Sequence, residues 1–203
     1  MPTNAPPASP TARVTALPVY VFAWLDELKA AARARGAELI DLGIGNPDRP
    51  TPAPVIETMA RGWNDPSTHG YPPFRGAPRF LDAAAGFLRR RFGVTVDPAR
   101  ELLCVSGGKE GLAHLAMAYA DEHSISLVPD IYYPVHGRAT LLAGSTAHWM
   151  PLTADRAFLP DFSAVPPSAL ASAKLLLLNY PHNPTGAVAT REFLEEAVAF
   201  AAR

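Results

Sequence analysis

Short apolar runs alternate with helical patterns along the second half of the chain. Strands of four to eight apolar residues that alternate with helices are typical of a parallel α/β sheet. A run as continuous as LLLL predicts a strand that is buried on both faces. The predicted strands are LLCVS (102–106), SISLVP (124–129), TAHWMPL (146–152) and AKLLLLNY (173–180), and the helices between and after them include 134–143 and 190–202.

The first half of the chain has a helical pattern. The spacing predicts an amphipathic helix over 19–35 that ends at Gly36, and further helices over 53–63 and 77–92. Residues 1–12 are rich in Pro, Ala, Thr and Ser and have no periodicity, so they are predicted to form a mobile arm.

Composition excludes several classes of protein. The 203 residues carry 18 Lys and Arg against 19 Asp and Glu, a net charge of −1, whereas nucleic-acid-binding proteins usually carry a basic excess. The single cysteine, Cys104, excludes an internal disulfide and a zinc site of several thiolates, and the six histidines lack the spacing of metal ligands. We expect no metal site and no nucleic-acid partner. The 22 prolines argue against a helical bundle.

An apolar stretch near the start, VTALPVYVFAWL (14–25), resembles part of a signal peptide. Asp26 and Glu27 follow it at once, and no small-residue cleavage pattern appears. The stretch is also shorter than the roughly 20 apolar residues that a membrane span needs. We therefore expect no membrane partner, and with one unpaired thiol we expect a cytoplasmic protein.

Two segments carry the clearest candidate chemistry. VSGGKEG (105–111) lies between a predicted strand and a helix, and its glycines allow an anion to approach the free amides of the helix start. NYPHNPTGA (179–187) follows the most apolar strand, at the strand end where open α/β sheets bind ligands. An ordinary glycine turn and a structural Pro-Gly turn remain the alternatives.

Three further segments join these two. They are HGYPPFRG (69–76), DLGIGNPD (41–48) and PDIYYPVH (129–136), which present a tyrosine in a proline-rich loop, a glycine open to close approach and a pair of aromatic residues after a strand. In this order, the five segments resemble the class I and II aminotransferases of fold type I, which depend on pyridoxal phosphate. The resemblance runs from about Leu17 to Arg203 and is nearest to the LL-diaminopimelate aminotransferase-like branch.

The resemblance implies a role for each of seven residues. Gly108 and Lys109 would hold the cofactor phosphate, Tyr133 would stack on the pyridine ring, and Asn183 would bind the phenolic oxygen. Tyr71 would reach the phosphate bound in the other subunit of a homodimer. On the substrate side, the resemblance assigns Gly45, Tyr20 and the Lys109 side chain. It also implies a cis Asn183–Pro184 bond.

The resemblance also implies that the chain is incomplete. The family needs a lysine that forms a Schiff base with the cofactor, and none of Lys29, Lys109 and Lys174 matches that motif, so we expect no catalytic residue in this chain. The implied fold is a three-layer α/β/α large domain with a mostly parallel sheet, in which the later strands and most of the small domain are missing. The implied division is a flexible arm (1–16), an N-terminal helix with a small-domain segment (17–45) and a partial cofactor-binding large domain (46–203).

The expected function is transfer of an amino group between an L-amino acid and a 2-oxo acid. We expect the chain to be the N-terminal half of such an enzyme and inactive alone. The alternative is a non-catalytic partner subunit, or a degenerate fragment, that binds a complete aminotransferase. The sequence leaves open which amino acid and oxo acid are used. Cys104 is expected to be buried in the first strand of the large domain.

Overall fold

The computed structural model describes residues 9–43 and 45–203. They divide into two compact units. The sheet unit comprises the chain up to Pro18 together with Ser106–Arg203, and the helical unit comprises Val19–Val105. Residues 1–8 of the predicted arm lie outside the described residues, and the domain boundaries at 16/17 and 45/46 stay predictions.

The sheet unit is built on three parallel strands. They are β1 (Ile125–Pro129), β2 (Thr146–Met150) and β3 (Ala173–Leu176). The strand order is β2-β1-β3, so β1 is the central strand. The β1–β2 register pairs Ile125 with Thr146 and Pro129 with Met150, whereas the β1–β3 register shifts by one residue after Ile125. The predicted parallel sheet is confirmed for these three strands.

Helices cover both faces of this sheet. The helices of the unit are α1 (Ala12–Thr15), α5 (Gly108–Tyr119), α6 (Val135–Ala143), α7 (Pro167–Leu170) and α8 (Arg191–Ala201). Successive strand residues point to opposite faces. Leu176 packs with α7 and α8, whereas Leu175 packs with α5 and α6. The predicted three-layer α/β/α architecture is therefore confirmed.

The face beneath α8 contains the larger core. Phe162 stacks on Phe200 and on Phe193, with ring centroids 4.8 and 5.4 Å apart, and Leu127 and Met150 of the sheet join this cluster. On the other face, small side chains of α5 and α6 let the two helices approach closely. They are Ala116, Ala120, Ala139 and Ala143, all of them buried.

The helical unit has little core of its own. It contains α2 (Val21–Ala34), α3 (Ala53–Trp63) and α4 (Pro78–Phe92). Among its described residues, Leu81 is the one buried side chain, while Trp63, Tyr71 and Phe74 are largely or fully exposed. The predicted helices are confirmed, and Gly36 and Gly93 adopt the left-handed φ values, +80° and +70°, that favour glycine at helix ends.

Two expectations about strands are wrong. Residues 102–106 form no strand, and Cys104 is exposed rather than buried. Its amide donates to the Arg75 carbonyl oxygen, 2.9 Å away, but no described strand runs beside this segment. The LLLL run packs on both faces, as predicted, but its burial is incomplete: Leu177 is buried, whereas Leu175 and Leu176 are half-buried, because β3 is paired along one edge among the described residues. Within the described residues, no helix is both long and apolar enough to cross a bilayer.

The phenylalanine stack generates the first prediction. Because Phe162 contacts aromatic rings on two sides, Phe162→Ala will leave a cavity and lower the free energy of unfolding by about 3–5 kcal/mol. Urea titration followed by circular dichroism measures this loss. Val198→Ala is the matched control, since Val198 is 72% exposed on α8 and its truncation should change stability by no more than about 0.5 kcal/mol. Equal effects of the two substitutions would contradict this assignment of the core.

Candidate functional site

The carboxyl ends of the three strands lie at one edge of the sheet, which we call the carboxyl edge, because the strands are parallel. Each strand leads there into a loop, and hydrogen bonds join these loops. Asp130, after β1, donates its amide to the carbonyl oxygen of Met150, the last residue of β2. Its carboxylate accepts from the amide of Leu152, just after β2. Tyr180, after β3, donates its hydroxyl to the Phe158 carbonyl oxygen at 2.7 Å. The carboxyl edge is therefore a connected layer.

The start of α5 is open. Gly107, its N-cap, has φ +93°, a left-handed value that disfavours any residue with a side chain. A Cβ atom at Gly107 or Gly108 would meet no other atom within 4 Å. Within the described chain, the amides of Gly108 and Lys109 have no hydrogen-bond acceptor, as is usual for a first helical turn. Amide donors and the positive end of the helix dipole make this turn suited to a phosphate.

A carboxylate already stabilises part of this turn. The Ser106 amide donates to Glu110 Oε2 at 2.5 Å, so Glu110 reaches back over the turn from the third helical position. This contact was not anticipated from the sequence, although a glutamate three residues after a helix start is its usual signal. The amides of Gly108 and Lys109, two and three residues further on, keep no acceptor in the described chain.

Tyr133 lies against this helix start. Its side chain packs against the buried cluster of small residues between α5 and α6, and Lys109 Nζ lies 5.6 Å from the centroid of its ring. The neighbouring Tyr132 turns the other way and stacks on Trp149. The structure therefore brings the start of α5 and Tyr133 together, and the two adjacent tyrosines have different partners.

The turn after β3 is fixed by its own hydrogen bonds. The Asn183 amide donates to Asn179 Oδ1 at 3.1 Å, and the Gly186 amide donates to the His182 carbonyl oxygen at 2.7 Å. The Asn183–Pro184 bond is cis, as the resemblance implies, and so is the Tyr180–Pro181 bond. Asn183 itself is exposed. A rigid turn thus presents the Asn183 side chain to its surroundings.

His182 joins this turn to the loop of Tyr133. Its Nε2 atom lies 3.0 Å from the Ile131 carbonyl oxygen, two residues before Tyr133. The sequence pattern did not predict that His182 bonds a distant loop; the histidines had been weighed only as metal ligands. The sole signal for it was a histidine placed between two prolines directly before Asn183.

Burial determines the ionisation of two groups near the carboxyl edge. The Tyr180 ring is half-buried, and this raises the pKa of its hydroxyl to about 12, so the hydroxyl keeps its proton and donates to Phe158. Burial also lowers the pKa of His136, and a positive charge on His182 would lower it further. His136 is therefore held neutral beside Tyr133, whose ring meets it edge to face at 6.0 Å.

The other three candidate residues lie in the helical unit. Tyr20 is the N-cap of α2, with its ring 5.5 Å from that of Phe22. Tyr71 is fully exposed, and a Cβ atom at Gly45 would meet nothing within 4 Å. All three belong to the helical unit, Val19–Val105.

A charge pair holds the segment that leads to Gly45. Asp41 accepts hydrogen bonds from the Gly43 amide and from Lys29 Nζ, both at 3.0 Å. These two donors, the amide first, lower the pKa of Asp41, so its carboxylate is charged at neutral pH. Lys29 is thereby occupied by Asp41 and Asp26, and Lys174 is exposed on β3. Lys109 is the lysine found at the carboxyl edge.

Comparison with known proteins identifies relatives of this chain. The profile of the family "Aminotransferase class I and II" matches residues 37–203. An LL-diaminopimelate aminotransferase of Moorella thermoacetica is 47% identical over 189 residues, which cover 93% of this chain and 48% of that enzyme. The chain thus spans about half the length of the curated relatives it matches.

Solved structures give the same result. Substrate-bound BacF from Bacillus subtilis aligns with a TM-score of 0.89 and 38% identity, over 96% of this chain and 49% of that one. A probable N-succinyldiaminopimelate aminotransferase from Thermus thermophilus aligns with a TM-score of 0.83 and 43% identity, over 90% and 49% of the two chains. The fold of this chain is similar to about half of each structure.

The neutral state of His136 generates a prediction about pH. Because its pKa is lower in the folded than in the unfolded chain, the unfolded chain binds more protons below about pH 6.5. The contribution of neutral His136 is therefore fully present above that pH and is lost as the pH falls. We expect the free energy of unfolding to decrease between pH 7.5 and 5.5, by up to about 1.4 kcal/mol per pH unit.

His136→Gln should flatten this dependence, because glutamine does not titrate. Urea titrations at several pH values measure it, and His123→Gln, at an exposed turn before β1, is the matched control that should keep the wild-type slope. Parallel pH profiles of the wild type and His136→Gln would contradict the buried neutral histidine.

Proposed function

Because the chain belongs to the class I and II aminotransferase family, we propose that it forms the cofactor-binding, N-terminal half of an enzyme that transfers an amino group between an L-amino acid and a 2-oxo acid. The enzymes of this family depend on pyridoxal phosphate, which when bound supplies the electron sink for this chemistry. The observation that carries the proposal is the carboxyl edge, where the open start of α5, the Tyr133 ring and the Asn183 turn are linked by contacts.

The residues of the carboxyl edge fit such a cofactor. The amides of Gly108 and Lys109 would bind its phosphate, since they lack acceptors and lie at a helix N-terminus. The Tyr133 ring would stack on the pyridine, and the Asn183 amide would donate to the phenolic oxygen. The Lys109 ammonium adds positive charge beside Tyr133. In a homodimer, the fully exposed Tyr71 would reach the phosphate of the other subunit.

The proposed substrate is an L-amino acid. Gly45, Tyr20 and the Lys109 side chain would contact the amino acid, with Gly45 near its α-carboxylate. LL-diaminopimelate is the first substrate to test, because the 47%-identical relative is an LL-diaminopimelate aminotransferase. The role would then be in amino-acid biosynthesis. A single cysteine favours a reducing compartment, so the cytoplasm is the proposed location.

We further propose that the chain is inactive alone. None of its three lysines matches the Schiff-base motif of the family; Lys29 pairs with Asp26 and Asp41, and Lys174 is exposed on β3. The outer edge of β3, which has no partner strand among residues 9–43 and 45–203, supports the same conclusion, because unpaired strand edges accept further strands. A cavity of about 400 Å³ along this edge is lined by apolar side chains, among them Leu175, Leu176 and Phe200. These features suit a sheet that another polypeptide segment completes.

A second candidate function is that of a non-catalytic partner subunit, or of a degenerate fragment that binds a complete aminotransferase. The exposed aromatic residues of the helical unit favour association of this kind. Trp63 and Phe74 are 76% and 106% exposed, and large exposed apolar patches commonly mark protein interfaces. Co-purification with a complete aminotransferase, without any gain in activity, would select this alternative.

Cofactor binding can be tested without covalent chemistry. Pyridoxamine phosphate has no aldehyde and cannot react with lysines, so calorimetry with this ligand reports the pocket alone. We expect Tyr133→Leu to weaken binding about tenfold, because the aromatic face is lost while apolar volume is kept. Tyr119→Leu is the matched control, since Tyr119 is 65% exposed at the other end of α5. Equal affinities of the two variants would contradict the stacking role.

The proposed inactivity of the isolated chain generates a further prediction. The purified chain with pyridoxal phosphate should transfer no amino group from LL-diaminopimelate to 2-oxo acids above the rate of the free cofactor. Co-expression with the part of the Moorella thermoacetica enzyme that the chain does not match should give a complex with measurable transfer. Activity of the chain alone that disappears in Lys109→Ala would contradict the proposal. So would failure of the two parts to associate.

A further inference from the structure

We propose that His182 is a positioning residue, which holds the loop of Tyr133 and the turn of Asn183 in one fixed arrangement. The proposal rests on the proposed function only in that these two residues would contact the cofactor. The ring of His182 would not contact the cofactor, because both of its nitrogens already bond protein atoms, those of Thr185 and Ile131.

The His182 side chain is buried and doubly bonded. The residue is 3% exposed. Its Nε2 atom lies 3.0 Å from the Ile131 carbonyl oxygen, and its Nδ1 atom lies 2.8 Å from Thr185 Oγ1. The first contact joins segments 51 residues apart in the chain, whereas the second lies within the turn.

The partners determine where the ring proton is. A carbonyl oxygen only accepts, so Nε2 carries the proton and donates it to Ile131. In the neutral ring, Nδ1 accepts from the Thr185 hydroxyl, whose oxygen accepts from the Ala187 amide at 3.3 Å. A neutral ring with one proton satisfies every member of this chain of hydrogen bonds, which makes the contact directional.

The hydrogen bond from His182 to Ile131 lies close in sequence to both Tyr133 and Asn183. Ile131 precedes Tyr133 by two residues, and Asn183 directly follows His182. On the opposite side of the turn, Tyr180 bonds the Phe158 carbonyl oxygen in the loop after β2. Loss of the His182 contact would leave the turn attached to the β2 side but free to move relative to Tyr133. A site that needs both residues would then lose its fixed spacing, which is costly for binding.

Two substitutions separate positioning from simple stability. His182→Leu removes both hydrogen bonds, whereas His182→Gln keeps one amide donor and one amide acceptor. We expect His182→Leu to bind pyridoxamine phosphate at least tenfold more weakly than the wild type, and His182→Gln to recover to within about threefold. Phe200→Ala is the destabilised control. Phe200 lies in the last turn of α8 and belongs to the core, so this substitution lowers stability at a distance from the Asn183 turn. It should leave the affinity for pyridoxamine phosphate unchanged while the protein is folded.

Hydrogen exchange without ligand gives an independent readout. The Gly186 amide bonds the His182 carbonyl oxygen, and the His136 amide bonds the Tyr133 carbonyl oxygen, so these amides report on the two joined segments. Both should exchange at least about tenfold faster in His182→Leu and recover in His182→Gln. In Phe200→Ala they should not be affected more than the amides of β1. Nitrogen NMR should also show a proton on Nε2 of His182, because its partner is a carbonyl oxygen.

The outcomes are distinct. Wild-type affinity in folded His182→Leu, or unchanged exchange at both amides, would overturn the positioning role. Equal losses in His182→Leu, His182→Gln and Phe200→Ala would overturn it too, since stability alone would then explain them. If the wild type binds no pyridoxamine phosphate, the proposed function fails, and the exchange rates alone decide the role of His182.

Discussion

The parallel pairing of β1 with both of its neighbours is the constraint on which the rest of the sheet unit depends. Parallel strands end at the same edge, so the loops after β1, β2 and β3 are forced into one layer. The hydrogen bonds of Asp130, Tyr180 and His182 then join these loops. Tyr133 and Asn183, which are 50 residues apart in sequence, belong to this layer because of strand direction, and Lys109 joins it through its contact with the Tyr133 ring.

The two units differ in how they obtain stability. The sheet unit has an aromatic core on one face and close helix packing on the other. The helical unit buries a single side chain among its described residues, Leu81, and exposes aromatic rings. A segment with so little buried apolar surface gains little free energy from folding by itself, because burial is the dominant favourable contribution. The chain spans about half the length of its relatives, and its buried apolar surface is concentrated in the sheet unit.

Sequence patterns predicted most of the elements correctly and failed where tertiary neighbours decide. The three strands in β1, β2 and β3 were predicted from their apolar runs, and the helix ends at Gly36 and Gly93 from the preference of glycine for left-handed backbone. The equally apolar LLCVS run forms no strand, because a strand requires a partner beside it and none is present among the described residues. For the same reason Cys104 is exposed. A periodicity reports what a segment can pair with, not whether the pairing partner is there.

The sequence by itself determined the class of fold, the family and the candidate residues, because local backbone preferences and specific motifs are encoded in adjacent positions. The glycines at 107 and 108 and the prolines around Asn183 are of this kind. Tertiary structure alone decided which side chains meet: that Lys109 approaches the ring of Tyr133 rather than Tyr132, that Glu110 occupies one amide of its turn, and that His182 bonds Ile131. These contacts depend on strand order and on burial, which couple distant segments and leave no local periodicity in the sequence.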